Sequence, residues 1–152
     1  MNAKGVRKVH VNLAGLLVAM AITAVLALSL LPLAITTHGA MAVERGAEEL
    51  ARELQAARQL AVANNDTYQV FFDRTAKTYF IMPSDAFSPS RCIQLPAGVE
   101  WVKLSTNPIY FHGTGKCPTG GTISVRHQSS GYQVEVVVAT HSGRVRLERK
   151  NP

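Results

Sequence analysis

The chain has 152 residues, with 16 Lys and Arg against 10 Asp and Glu, and two cysteines. That length holds one modest domain plus one membrane-crossing segment and excludes a large multidomain enzyme. Only 17% of the residues are charged, below the roughly 25% of ordinary soluble domains, and the apolar excess is concentrated at one end.

Residues 1–10 form a basic leader carrying Lys4, Arg7 and Lys8. No Asp, Glu, Lys or Arg occurs between Lys8 and Glu44, and Val11 to Ile35 is an apolar run interrupted only by Asn12, Gly15, Thr23, Ser29 and Pro32. As a helix this run reaches roughly 37 Å, enough to cross a hydrocarbon core of about 30 Å. Residues 11–35 are therefore expected to be a transmembrane helix. The basic leader places the N-terminus in the cytoplasm and residues 36–152 outside. A secretory signal peptide cut near Ala40-Met41-Ala42 is the alternative, against which the length of the run argues; an anchor with no further role is another. A helix apolar on every face needs a large protein to bury it, which the remaining residues cannot supply. Pro32 removes a backbone N–H and is expected to kink or locally melt the helix.

Residues 36–66 continue as an amphipathic helix. Val43, Ala47, Leu50, Leu54, Ala57 and Ala61 recur at steps of four and three, a stripe that predicts one buried face. The other faces carry Glu44, Arg45, Glu48, Glu49, Arg52, Glu53 and Arg58, and Glu44, Glu48 and Arg52 are spaced for contacts one turn apart. The stripe is alanine-rich and short, which favours packing on the chain's own sheet over an intermolecular coiled coil. Asn64-Asn65-Asp66 ends it, since these residues favour turns over helix.

Residues 67–152 form an exported β-rich domain of short strands separated by turn residues. Thr67–Asp73 and Thr78–Met82 flank Arg74-Thr75-Ala76-Lys77 as a hairpin. Val99–Leu104, Ile109–His112, Gly121–Arg126 and Tyr132–Ala139 follow, and the chain turns through Thr140-His141-Ser142-Gly143 into Arg144–Arg149. The fold class is α+β: a long N-terminal helix lying on a small, mostly antiparallel sheet.

Residues 83–98 and 113–121 read as loops, each with one cysteine. In an exported domain the default for Cys92 and Cys117 is a disulfide, worth about 3.5 kcal/mol on a chain-entropy model. Two buried free thiols, or a metal site with His112 and Cys117, are the alternatives, although zinc calls for four clustered ligands. The five histidines are scattered without a nucleophile or base at workable spacing, so no catalytic residue, metal centre or cofactor is assigned and the chain is not expected to be an enzyme. Gly113-Thr114-Gly115 and Gly120-Gly121 lack the Lys-Ser/Thr of a phosphate loop and read as turns. Trp101 and Tyr110 read as sheet packing.

The last strand carries the basic cluster outside the leader. Period-2 geometry puts Arg144, Arg146 and Lys150 on one face with Glu148, and Val145 and Leu147 on the other. That pair of arginines suits a phosphate clamp, which Arg126 and Arg149 would widen. The plain alternative is a solvated edge strand whose charges discourage edge-to-edge pairing.

A basic leader, an uncharged helix starting about ten residues in, Pro32 within it, an amphipathic continuation and a small β-domain together resemble a type IV pilin or pseudopilin. The C-terminal part is similar to the GspH/FimT type through Glu49–Asn65 (ELARELQAARQLAVANN), Leu95-Pro96-Ala97-Gly98-Val99, Ile109-Tyr110-Phe111, Gly120-Gly121-Thr122-Ile123 and Gly143-Arg144-Val145-Arg146. The resemblance implies a minor pilin or pseudopilin of a type II secretion pseudopilus or a type IV competence pilus, with an assembly role. It implies cleavage between His10 and Val11 by a prepilin peptidase, methylation of the new N-terminus, residence in the bacterial inner membrane and packing with other pilin subunits. His10 stands where such families have Gly, and Gly15 where they have the glutamate that neutralises a neighbouring subunit's amine. In secretion pseudopilins the tip subunit lacks that glutamate, so a place at or near a tip is implied. Some FimT-type pilins bind DNA for uptake through Gly-Arg-x-Arg, which Gly143-Arg144-Val145-Arg146 matches; DNA is the further partner implied.

Overall fold

The computed structural model describes residues 13–86 and 88–150, with the side chains at 28–37 and 150 outside the description. The leader and the His10–Val11 processing site lie outside the described residues. The element order is α1 (Leu13–Asn64), β1 (Tyr68–Asp73), β2 (Thr78–Pro83), β3 (Arg91–Gln94), β4 (Val99–Leu104), β5 (Ile109–Phe111), β6 (Gly121–His127), β7 (Gln133–Val138) and β8 (Val145–Lys150). The chain divides into two compact units, Met1–Ala34 and Ile35–Pro152.

In the first unit the described side chains, those of residues 13–27, are all exposed. They include Leu13 at 71%, Leu17 at 61% and Met20 at 63%. Among the described residues no helix is long and apolar enough to cross a membrane; the transmembrane expectation at Val11–Ile35 falls partly on residues outside that description. The backbone is helical at Pro32, so the expected local melting does not occur: the ring's fixed φ is itself compatible with helix, and only one N–H is lost.

In the second unit the helical stripe does what its spacing predicts. Val43, Ala47, Leu50, Leu54, Ala57 and Ala61 are all fully buried. The helix ends where Asn65 adopts a left-handed conformation (φ 49°), while Asp66 N–H donates to Ala61 O at 3.0 Å and Asn65 N–H to Val62 O at 3.3 Å. That pair of bonds is the Schellman arrangement, and it satisfies carbonyls the helix end would otherwise orphan. The surface charges of the helix find partners far along the chain instead of one turn away. Arg91 bonds Glu53 at 2.8 Å and Arg149 bonds Glu44 at 3.1 Å, and no ion pair forms among Glu44, Glu48 and Arg52 among the described residues.

The strands form two four-stranded antiparallel sheets where the sequence suggested one, in the orders β3-β2-β1-β5 and β4-β6-β7-β8. The division arises because β5 returns to pair with β1, Tyr68 opposite Phe111, while β4 pairs with β6. Strand β3 was expected to be loop. The β1–β2 turn is fixed by Asp73, whose Oδ1 accepts from the N–H groups of Thr75 and Ala76 at 2.8 and 2.9 Å. Just before the start of β5, the Asn107 side chain accepts from Phe72 N–H at 3.0 Å and donates to Phe72 O at 2.8 Å.

Alternate residues of the strands point inward: Tyr68, Val70 and Phe72 of β1, and Val134, Val136 and Val138 of β7, are buried. Trp101 of β4 bridges the two sheets. Its ring meets Phe72 and Tyr79 edge-on, at 5.4 and 6.2 Å between centroids, and its Nε1–H donates to Asp73 O at 3.2 Å. Such contacts add to burial because the positive ring edge faces the negative ring face. Tyr79 Oη is buried without a hydrogen-bond partner among the described residues; burial, reinforced by Glu49 and Glu53, pushes its pKa above the ordinary phenol value.

The expected disulfide is not formed. Cys92 and Cys117 are free thiols, Cys92 exposed and Cys117 buried. Cys92 lies on edge strand β3, whereas Cys117 lies in the loop between β5 and β6. Cys117 O accepts from His141 N–H of the β7–β8 turn at 2.9 Å. Burial pushes the Cys117 thiol pKa up. His112 Nδ1 sits 3.0 Å from Thr67 Oγ1, and no cluster of three or more His, Cys, Asp or Glu forms among the described residues.

Candidate functional site

The sequence-predicted basic residues separate into two groups. Arg126, on β6, is held by Glu100 opposite it on β4, with Nη2 donating to Oε1 at 2.7 Å. That bond and one from Gln128 keep the Glu100 pKa below the usual carboxylate value. Arg149 has the opposite parity to Arg144 and Arg146 along β8, so it points to the other side of the sheet. There it pairs with Glu44 of α1 at 3.1 Å, and the Tyr132 hydroxyl donates to the same carboxylate oxygen at 3.2 Å. Neither arginine widens the expected patch. The Lys150 side chain lies outside the described residues.

Arg144 and Arg146 are exposed, and among the described residues neither has a carboxylate partner. They are brought there by the β7–β8 turn. Gly143 N–H donates to Ala139 O at 2.9 Å, Ala139 N–H to Arg144 O at 2.8 Å, and Arg144 N–H to Ser142 Oγ at 3.4 Å. Gly143 has φ 63°, a region that L side chains enter only at a cost.

The structure adds a residue that the sequence did not single out. Arg58 of α1 is half-buried and its Nε–H donates to Gly115 O at 2.9 Å. It passes between two glycines. A Cβ on Gly143 would come within 3.1 Å of Arg58 Nε and 2.9 Å of Gly115 O, and one on Gly115 within 3.2 Å of Arg58 Nη2. Together Gln55, Arg58 and Gln59 of the helix, Gly143 and Arg144 of the β7–β8 turn and Val145 and Arg146 of β8 line an open groove of about 420 Å³. The residues at its rim include Arg58, Arg144 and Arg146 and no Asp or Glu. Such a groove can bind an anion through charge-assisted, forked hydrogen bonds. Nothing in it supplies a nucleophile or a general base.

The comparisons with known proteins point to one group. The family model described as Type II transport protein GspH matches residues 46–143, a stretch from the amphipathic helix through the β7–β8 turn. Among solved structures, the minor pseudopilin EpsH of the Vibrio cholerae type II secretion system is similar with a TM-score of 0.60 at 12% identity, covering 74% of this chain and 97% of that one. The type IV minor pilin FimU of Pseudomonas aeruginosa PAO1 is similar with a TM-score of 0.57 at 22% identity, covering 69% of this chain and 91% of that one. No curated protein matches. At these identities the solved structures establish the shared pilin-like α+β fold, and with the family match spanning most of the sequence, the chain belongs to the GspH family.

Proposed function

We propose that this protein is a minor pilin or pseudopilin subunit, structural and not catalytic, that works by assembling with other subunits of a type II secretion pseudopilus or a type IV pilus. The observation that carries the reading is the apolar, exposed stretch of α1. Leu13, Leu16, Leu17, Val18, Met20 and Ile22 are each at least half exposed, a contiguous apolar surface of a kind that marks a protein or membrane partner. In this reading residues 11–35 anchor the newly made chain in the inner membrane, with the N-terminus in the cytoplasm, and later pack on neighbouring helices. The β-domain is displayed outside. A prepilin peptidase cuts between His10 and Val11, and the absence of glutamate at Gly15 suits a place at or near a filament tip. The test is intact and N-terminal mass spectrometry of the protein from its native membranes. A mature chain beginning at Val11 with an added methyl group is expected; an uncut chain, or one beginning near Val43, defeats the filament mechanism.

A second reading, DNA binding through Gly143–Arg146, is favoured by the two exposed arginines, which have no ion-pair partner among the described residues. Weak, sequence-independent and salt-sensitive binding is what such a pair supports. Fluorescence anisotropy with a labelled duplex at 50 mM salt is expected to register binding by the full chain and its loss in the Arg144→Ala/Arg146→Ala double variant. No binding by the unaltered chain at 50 mM salt refutes this reading.

A further inference from the structure

We propose that the open edge of β8, with α1 running beside it, is a docking slot for an extended segment of a partner protein, which joins the second sheet as a fifth strand. The segment it fits is basic at one end, apolar at its centre and acidic at the other end. Docking needs neither cleavage at His10–Val11 nor DNA, so it stands apart from both readings above. Three observations carry it.

The first is a free hydrogen-bonding ladder. Strand β8 ends its sheet and pairs only with β7. Ala139 N–H donates to Arg144 O, and bonded and open pairs alternate along an antiparallel ladder. Arg146 opposite Val137 and Glu148 opposite Glu135 are therefore bonded pairs. The N–H and C=O groups of Val145, Leu147 and Arg149 point away from β7. The other side of β7 agrees: His127 N–H donates to Tyr132 O, which assigns Val134 and Val136 to β6 and leaves Glu135 and Val137 for β8. Among the described residues no backbone bond occupies the three outward residues of β8. Free donors and acceptors in step along a strand are what an added strand requires. Strand β8 also lacks two common guards of an edge: at six residues it is as long as β7, and it contains no proline.

The second is the wall beside the edge. Arg149 pairs with Glu44, and a Cβ on Gly143 would lie 3.1 Å from Arg58 Nε, so β8 runs against the direction of the helix. The helix from Glu44 to Arg58 spans about 21 Å and the strand from Gly143 to Arg149 about 20 Å, so the two keep company over that length. Val145, Leu147 and Arg149 share the side of the sheet that carries buried Val134, Val136 and Val138. Leu147 is nevertheless 43% exposed, and a further strand would cover it.

The third is charge. On the face away from the helix, Arg146 and Glu148 alternate in sign along the strand. On the helix side, Glu48 is exposed, has no ion-pair partner among the described residues and lies beside Leu147 and Arg149; Arg58 lies near Val145. Opposite charges facing across strands stabilise, and like charges destabilise. An antiparallel strand starting opposite Arg149 therefore fits with two basic residues, an apolar residue against Leu147 and two acidic residues. The same charges repel strands of other patterns, which makes the edge selective.

The test uses the full chain in a mild detergent and a fluorescein-labelled peptide containing Lys-Lys-Val-Glu-Glu between threonines. Binding is expected by fluorescence anisotropy, with slowed hydrogen exchange at the amides of Val145, Leu147 and Arg149, which exchange freely without peptide. Methylating the amide nitrogen of the peptide's valine removes the donor that meets Leu147 O and leaves the protein untouched; it is expected to weaken binding about tenfold. Glu148→Lys, on an exposed position, is expected to weaken binding several-fold. Absence of peptide binding overturns the proposal. Equal binding of the methylated peptide overturns it because the ladder is then unused, and equal binding to Glu148→Lys because the charge pattern is then wrong. Protection of the three amides in the concentrated free chain, lost on dilution, overturns it in favour of a second copy at this edge.

Discussion

Leu54→Ala is expected to lower the stability of the β-rich unit by about 3 kcal/mol, the middle of the range for emptying a fully buried leucine site. Leu54 is 0% exposed and sits in the centre of the helical stripe, one turn from the equally buried Leu50. Their neighbours in the stripe are alanines, so these two leucines supply much of the apolar volume the helix inserts under the sheets. Alanine there removes transfer energy and leaves a cavity, because fixed strands on the far side cannot collapse into it. For a unit of this size the midpoint of thermal unfolding should fall by roughly 10 °C or more. The single tryptophan, Trp101, reports it directly, since it packs between Phe72 and Tyr79 and its fluorescence follows loss of the β-domain. Arg52→Ala, on the exposed face of the same helix, is the control and should shift stability by no more than about 0.5 kcal/mol. Equal melting of the two variants would mean that the stripe does not anchor the sheets.

Gly120→Ala should be almost as damaging, for a different reason. Gly120 precedes β6, where a Cβ would lie 2.6 Å from both Val138 O and Thr140 N. Those are backbone atoms at the end of β7, and they cannot rotate away as a side chain would. Relief requires moving the β6–β7 pairing that begins with Gly121 opposite Val138, at a cost of about 3 kcal/mol, the upper end of ordinary overpacking. Gly131→Ala makes a sharp comparison. Gly131 has φ 68° but nothing within 4 Å of a Cβ, so only the backbone penalty of about 1–2 kcal/mol applies. Chemical denaturation of the two variants, followed by Trp101 fluorescence, should place Gly120→Ala at the lower midpoint. The reverse order would contradict the close approach at the β6 entrance.

The stripe from Val43 to Ala61 was legible because a half-buried helix writes its buried face every three or four residues, and all six positions are buried. The strands were legible from their alternation, but their division into two sheets was not. Alternation records which residues face inward and carries no information on which strand lies beside which; β4 and β5 look alike locally, yet one joins β6 and the other β1. Strand β3 was hidden because it is a four-residue edge strand in which only Ile93 is partly buried, set among residues that favour turns. The cysteines misled for a related reason. Their spacing in the chain and their exported setting suggest a bridge, but the fold leaves one exposed on edge strand β3 and the other buried in the β5–β6 loop. Arg144 and Arg146 were visible as neighbours two residues apart. Arg58 was one of several charges on the solvated side of the helix, and its place beside them depends on the β5–β6 loop and the β7–β8 turn. The one local signal was the change from Glu to Gln on the helix after Glu53, together with two distant glycines.

The amide of Asn107 holds both backbone groups of Phe72, at the register position where β5 would otherwise have continued. A strand edge with open N–H and C=O groups is a template for any extended chain it meets, and proteins that accumulate side by side must close such edges or aggregate. Here a single side chain imitates a peptide unit and closes that stretch of β1, while β3, at the other edge of the sheet, is short and carries Arg91 tied to Glu53. The first sheet is thereby guarded at these two places against unplanned strand pairing.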